Sequence, residues 1–329
     1  MVILASPMKA CSNLNEPGLP LMKKNDLIRL RHHEIDKAKW DAGIARSTHP
    51  LIYAESWYLD IVAPQWEAIV SNDYNTLWPL TLNRKFKWPV IMQPMFTQQL
   101  GIFSSGPVDK ERVAQFYSAN PYPIITLQSH SECEWPDSLK STTKNNSILP
   151  LITDYANLKG AYRKDRKQSL KKALKEQQIF DYHTSTNAFI DFTRRNNNYQ
   201  LPPRHLMLLQ QIIRQALEQK SGFILSVKDE SEDPLSMAFF LHKYNRITNL
   251  AGHSSSKGYA REGMFLILNQ VIQDFAASEH VLDFEGSELE GIASFYRSFG
   301  AIKEPYHGLQ NPLFSQLQKI RQRLGKKNN

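Results

Sequence analysis

The chain has 329 residues, more than one ordinary hydrophobic core accommodates and enough for two domains. With 41% hydrophobic and 22% charged residues it has a globular balance, which excludes disorder as its dominant state, and its formal charge of +8 favours an anionic partner. Two cysteines, Cys11 and Cys133, exclude a disulfide framework and a Cys-x-x-Cys metal pair, so no metal and a reducing compartment are expected.

Val2–Ala5 is too short for the core of a signal peptide, and no run approaches the ~20 apolar residues of a membrane span, so a cytoplasmic protein is expected. Residues 1–25, with Asn13, Asn15, Pro17 and Pro20 and no periodicity, read as a loose tail. A first domain is expected over 26–147. Leu27–Leu30 is a short strand, Glu34–Ala45 a polar-faced helix, and Ala54–Ala63 a second helix bounded by Pro50 and Pro64. Gln65–Val70, Thr76–Asn83 and Val90–Met95 are strands, Asp109 caps a helix through Tyr117, and Pro123–Gln128 is an apolar strand. Ser129–Asn146, rich in Ser, Thr, Lys and Asn, is expected as a long connection or an irregular excursion.

A second domain is expected over 148–315. Ile148–Thr153 is a strand, Tyr155–Glu176 a long helix and Ile179–Thr184 a short extended segment. Helices at Ala188–Asn196 and Pro203–Gln219 follow, the second with proline in its first turn, where the missing N–H costs little. Phe223–Val227, Leu235–Tyr244 and Ile247–Ala251 are three strands, and Met264–Ala277 is a helix apolar on most sides, hence packed on a sheet. Val281–Phe284 is a buried strand and Gly291–Phe299 a last helix. Residues 316–329 carry Lys319, Arg321, Arg323, Lys326 and Lys327 and read as a basic tail that touches nucleic acid or is merely solvated.

Strand, two helices, three strands, helix, strand thus occurs twice, with no self-similarity of sequence. The last helix reads Ile292-Ala293-Ser294-Phe295-Tyr296-Arg297-Ser298-Phe299-Gly300-Ala301. Element order and motif together resemble the GNAT acetyltransferases, whose motif has the form A-x-x-L-Y-x-x-x-G-F; Ala301 replaces the usual aromatic, and Gly300 suits a helix C-cap. Asp283-Phe284-Glu285-Gly286-Ser287, the basic stretch Tyr162-Arg163-Lys164-Asp165-Arg166 and the loop Gln93–Gly101 resemble the FemAB-like branch of that superfamily. The resemblance covers roughly residues 26 to 310. It implies an α/β fold of two tandem GNAT-like domains, each a mixed, mostly antiparallel sheet flanked by helices. It also implies an N-acyltransferase that moves an acyl or aminoacyl group to an amine of a small or peptide-like acceptor.

The resemblance carries candidate roles with it. The [QR]-x-x-G-x-[GA] loop of coenzyme-A users is absent, but Ser254–Gly263 supplies Lys257, Gly258, Arg261 and Gly263 ahead of a helix N-terminus, which attracts anions. The departure leaves acyl-CoA and aminoacyl-tRNA both open as donors, neither tightly held. Tyr296 stands where the family keeps a tyrosine that protonates the leaving group; the alternative is packing beside Phe295 and Phe299. Glu285, after a buried strand, can take a proton from an attacking amine or simply bond loop amides, and His253, at a strand end, can serve as base or be a structural group. The helix Lys159–Lys175 presents eight cations against Asp165, and Arg163 with Lys167, four apart, form its best phosphate pair; the alternative is a solvated face. Tyr58, Phe96, Gln98 and Gln99 are candidates to line an acceptor cleft, though such residues also pack cores. The rival to an enzyme is a non-catalytic module of the same fold that binds RNA or another polyanion through the basic helix. No G-x-S-x-G elbow, Walker loop, H-E-x-x-H or G-x-G-x-x-G after a strand supports another chemistry.

Overall fold

A computed structural model describes residues 26–85, 87–174, 178–196, 201–286 and 288–312. The tail expected at 1–25 and the basic stretch 316–329 lie outside them, as do Lys175 and Glu176 at the end of the expected long helix. The first strand, β1 (Leu27–Leu30), forms as expected and pairs antiparallel with β2 (Glu67–Ser71). β3 (Thr76–Leu80) continues that small sheet, whose strands come from the expected hydrophobic runs. The run Thr76–Asn83 is two strands, not one. The chain turns at Thr81, whose hydroxyl donates to the Met92 carbonyl at 2.8 Å, and β4 (Leu82–Lys85) forms a separate hairpin with β5 (Trp88–Ile91). β6 (Phe103–Ser104) closes the edge of the small sheet.

Helices of the first half follow their caps. Asp36 accepts from the Lys39 amide and starts α1 (Lys37–Arg46), three residues later than periodicity placed it, after a 3-10 turn at His32–Glu34. α2 (Ser56–Val62) follows a 3-10 turn at Ile52–Ala54, and Asp109 caps α3 (Lys110–Ala119) as expected. Trp40 of α1 is buried against Trp66 with ring centroids 4.8 Å apart, and its indole donates to the Ala54 carbonyl at 2.7 Å. That bond satisfies the one polar atom of a large buried ring.

The main sheet has eight strands in the order β7-β14-β8-β13-β12-β11-β10-β9. Its members are β7 (Thr126–His130), β8 (Lys140–Pro150), β9 (Ile179–Asp181), β10 (Gly222–Lys228), β11 (Pro234–Lys243), β12 (Arg246–Ser254), β13 (Val281–Asp283) and β14 (Ile302–Gln310). All neighbours are antiparallel except β12 and β13, which run parallel because a helical crossover joins them. β7, from the first half of the chain, therefore lies in the sheet built by the second.

Two expectations are corrected here. Ser129–Asn146 is an irregular connection only over 131–139: its start is the end of β7 and its last part is most of β8, whose polar residues are paired with β14. β14 was not expected at all, since Pro305 and Gly308 interrupt its sequence as they would a turn. The expected helix Tyr155–Glu176 is broken into α4 (Tyr155–Gly160) and α5 (Lys164–Ala173). At the break Tyr162 turns inward, its hydroxyl donating to Asn269 at 3.1 Å, and the Arg163 amide donates to the Ser298 carbonyl at 2.9 Å.

α6 (Thr186–Arg195) and α7 (Pro203–Glu218) pack their apolar faces into the larger of two hydrophobic clusters. Phe189, Phe192, Leu209, Ile212 and Ile213 fill the same cluster as Trp40, Trp66 and Trp78. A second cluster lies where α9 (Gly263–Asp274) covers β10 to β13, with Phe265, Leu268 and Ile272 against Leu282 and Phe299. α9 is buried along most of its length, as its all-round hydrophobicity predicts. The short α8 (Ser256–Ala260) precedes it, and α10 (Glu290–Arg297) ends at Gly300, whose φ of +86° is the left-handed value expected of a C-cap glycine. The expected α/β architecture of mixed, mostly antiparallel sheets flanked by helices is the one found. No helix among the described residues is long and apolar enough to cross a membrane.

Candidate active site

β12 and β13 run side by side only from the Arg246–Val281 pair to the Thr248–Asp283 pair. Beyond it β12 carries a bulge at Leu250, because Phe240 faces Asn249 while Phe239 faces Ala251. A bulge bends its strand, so β12 swings away from the chain leaving β13. The resulting V encloses a cavity of about 180 Å³ lined by Asn249, Leu250, Ala251 and Gly252, by Met264 in the first turn of α9, and by Phe284, Glu285, Gly286 and Tyr296. Tyr296 stacks on Phe284 at 4.7 Å, which places its ring along one wall; its hydroxyl lies 4.0 Å from the position a Cβ on Gly286 would take.

Glu285 sits at the mouth of the V on a backbone that few residues adopt. Its φ is +53° and that of Gly286 is +59°, two left-handed residues in succession. The Glu285 amide donates to Asp283 at 3.0 Å, and its carboxyl accepts from the Tyr53 hydroxyl, a residue 232 positions earlier in the chain. Burial pushes the Glu285 carboxyl up from 4.5 to about 8, where a proton can be exchanged with an amine near neutral pH.

On its other side Glu285 borders a second cavity, a cleft of about 540 Å³. Phe96, Gln98, Gln93 and Gln128 line it from the first half of the chain, and Lys144, Glu288 and Tyr306 from the strands and loop opposite. One carboxyl thus touches both a narrow cavity at a helix N-terminus and a wider cleft with amide and aromatic walls.

A buried polar network holds this junction from below. Asn146 donates to Asp283 at 2.8 Å and accepts from Gln98 at 3.1 Å, while Arg246 bonds Asp283 at 2.6 Å and Glu304 at 2.6 Å. Burial works to raise the Glu304 carboxyl, but the Arg246 guanidinium outweighs it and leaves Glu304 below its ordinary value. One guanidinium shared by two carboxylates, with the Asn146 amide bonded between them, leaves no member of the network a lone ion.

The other sequence candidates fall in several places. His253 lies on β12 beyond the residues that line the V, and burial lowers its pKa, keeping the ring neutral. Lys257 pairs with the buried Asp229, and Arg261 bonds Glu230 at 3.0 Å, so both cations are engaged within the protein. Ser254–Gly263, expected as a loop, contains α8. Gly258 and Gly263 answer to packing on β11: a Cβ on Gly258 would come 1.9 Å from the Leu235 carbonyl oxygen, and one on Gly263 2.3 Å from the Ser236 hydroxyl oxygen. Arg163 forks onto Asp165 at 2.6 and 2.7 Å, and Lys167 reaches the Gly160 carbonyl at 2.5 Å. The basic helix nevertheless flanks the V: Arg166 lies over the Phe295 ring at 5.3 Å and bonds Glu262, the residue before α9, at 3.0 Å.

Tyr58 is wholly buried rather than in the cleft; its hydroxyl donates to the Phe96 carbonyl and supports the cleft wall from behind. Phe96, with φ +58°, and Gln98 line the cleft, whereas Gln99 lines a different cavity. Tyr53, Lys144 and Tyr306 escaped the sequence reading. Tyr53 stands just before the expected helix Ala54–Ala63, and only the fold brings it to Glu285.

The parted strand pair, the N-terminus of α9 and the Glu285 carboxyl thus come together at one place on an α/β fold. No protein-family model and no curated protein matches the sequence. Among solved structures the chain is similar to FemX, with a TM-score of 0.63 and 12% identity over 88% of this chain and 99% of that one. It is also similar to a conserved protein of unknown function from Bacteroides thetaiotaomicron VPI-5482 (TM-score 0.56, 11% identity, 84% and 98% covered) and to L-PGS from Bacillus licheniformis (0.52, 11%, 88% and 97%). These likenesses span nearly the whole of each neighbour and are likenesses of fold, the fold that the Tyr296–Gly300 motif led us to expect.

Proposed function

We propose that the chain is an acyltransferase that moves an acyl or aminoacyl group onto an amine. The observation that carries this is the double position of Glu285, which borders the V and the cleft at once. An activated acyl group enters the V along α9 and α10, and the acceptor's amine comes from the cleft. Glu285 takes the proton that the amine sheds as it attacks the carbonyl carbon, Tyr53 holds the carboxyl in place, and the Tyr296 hydroxyl gives a proton to the departing thiolate or alkoxide. The amide and aromatic walls of the cleft suit a small or peptide-like acceptor. Acyl-CoA and aminoacyl-tRNA are the two donor classes implied by the resemblance to the FemAB-like branch; the cations of α5 beside the V favour a phosphate-bearing donor of either kind.

The same cations support a second reading, a non-catalytic module that binds RNA. The two are separated by incubating the full chain with an acyl-CoA panel or charged tRNA and an amine panel, then measuring thiol release or aminoacyl transfer. Acceptor-dependent turnover is expected, and Tyr296→Phe should lower kcat by ~10²–10⁴-fold while leaving donor affinity and thermal midpoint nearly unchanged. Tight tRNA binding with no turnover from any donor would favour the module and discard the enzyme.

A further inference from the structure

At the opposite end of β12 and β13 from Glu285, a cavity of about 320 Å³ lies against Arg246, Val281 and Glu304, with His49 and His130 in its wall. A ring nitrogen of each histidine and a carboxylate oxygen of Glu132 lie within 4.8 Å of one another. The rings stack with centroids 5.0 Å apart, and Glu132 Oε1 is 3.4 Å from His49 Nε2.

His130 is the informative member. It is the last residue of β7, only 8% exposed, and its backbone is held by pairing with Tyr306 of β14. Nε2 lies 2.8 Å from the Ile102 carbonyl oxygen. A carbonyl only accepts, so Nε2 carries the hydrogen and Nδ1 carries the lone pair. Nδ1 is buried and has no hydrogen-bond partner among the described residues. An acceptor left so is unfavourable, and here it points to a missing ligand. A histidine that donates one N–H to a backbone carbonyl and turns its other nitrogen to an ion is the usual arrangement of a metal-bound imidazole.

We propose that His49, His130 and Glu132 bind a divalent transition-metal ion of the zinc class. Two imidazoles and one carboxylate are the donor set such an ion takes, at about 2.0–2.2 Å from each. His130 is the fixed anchor, while His49 and Glu132, with side chains 42% and 62% exposed, have room to close onto the ion. The Ile102 carbonyl fixes the His130 tautomer that leaves Nδ1 able to ligate. Cys133 is not one of the three: its buried thiol rests 3.3 Å from Nε2, the His130 nitrogen that faces the Ile102 carbonyl and not the one left for the ion. Three protein ligands leave a position for water. The ion would tie the segment after α1 to the segment after β7.

The test uses the full chain without a histidine tag, stripped with chelator and titrated with zinc chloride by calorimetry. One ion per chain is expected, with a rise in thermal midpoint. His49→Ala and Glu132→Gln, both at exposed positions, should each weaken zinc by ~10-fold or more. Cobalt substituted for zinc should show the strong visible absorption of a tetrahedral site. His242→Ala is the control, because His242 and His280 form the other close histidine pair, with Nε2 atoms 2.9 Å apart; it should change nothing. Absence of stoichiometric binding at ~100 μM zinc, a range far above what such ligand sets need, would overturn the proposal. So would wild-type affinity in the His49→Ala/Glu132→Gln double variant, or loss of binding in His242→Ala alone.

Discussion

Glu285→Gln tests the electrostatics of the site through stability, independently of any substrate. The substitution keeps the shape, still accepts from Tyr53 and removes the ionisation. Glu285 titrates at 4.5 when unfolded and at about 8 in the fold, raised by burial. A raised carboxyl pKa means that the folded state holds the proton more tightly. The stabilisation from that proton is whole below 4.5 and is lost as pH rises through the window up to about 8. Between about pH 6 and pH 8 the unfolded chain has already released this proton and the folded chain has not. Two pH units at about 1.4 kcal/mol each amount to about 3 kcal/mol that the natural protein loses and the variant keeps. For a chain of this size that is roughly 5 °C in thermal midpoint. Melting both proteins from about pH 6 to pH 9 therefore gives a difference that grows with pH and levels off above about 8, all other titrations cancelling between the two. Parallel curves would refute a strongly raised Glu285 and, with it, its suitability as a base. In the same window the kcat/KM of the natural protein should rise with pH, while the variant has no such limb.

Two further outcomes follow from the geometry. Gly258→Ala brings a Cβ within 1.9 Å of the Leu235 carbonyl oxygen, a backbone atom, so the denaturant midpoint should fall by an equivalent of about 1–3 kcal/mol or more; Gly106→Ala, with nothing within 4 Å, is the neutral control, and equal midpoints would discard the packing account of Gly258. If Arg163 and Lys167 hold donor phosphates, replacing both with Ala should weaken tRNA or nucleotide binding and make the slope of log K against log salt shallower by about 1.4; unchanged affinity and slope would return them to the intramolecular bonds with Asp165 and Gly160.

Local chemistry was legible wherever a side chain speaks to its own neighbourhood. Leu27–Leu30 is a short strand as expected, Asp109 caps a helix, Pro203 opens one, and Gly300 follows the end of one with a positive φ. The helix expected at Met264–Ala277 is apolar on most sides, and α9 is buried over most of its surface. Two of the three catalytic candidates, Tyr296 and Glu285, line one cavity, Glu285 just after β13 and Tyr296 on the helix that follows it. His253 shows where such inference stops, since a strand-end position does not say which way the strand bends.

What only the tertiary structure decided depends on partners far apart in the chain. Pro305 and Gly308 argue against a strand locally, yet β14 forms because β7 and β8 on either side supply its hydrogen bonds. The polar run Lys140–Asn146 has no hydrophobic face to announce it and is a strand for the same reason. The bulge at Leu250 arises from the register with β11, and it is this that opens the V. Tyr53 meets Glu285, and His49 meets His130, through folding alone. Propensity and periodicity are properties of a few neighbouring residues. Pairing register and side-chain convergence are properties of the closed chain, fixed by which long-range contacts together bury the most surface and leave the fewest polar groups alone.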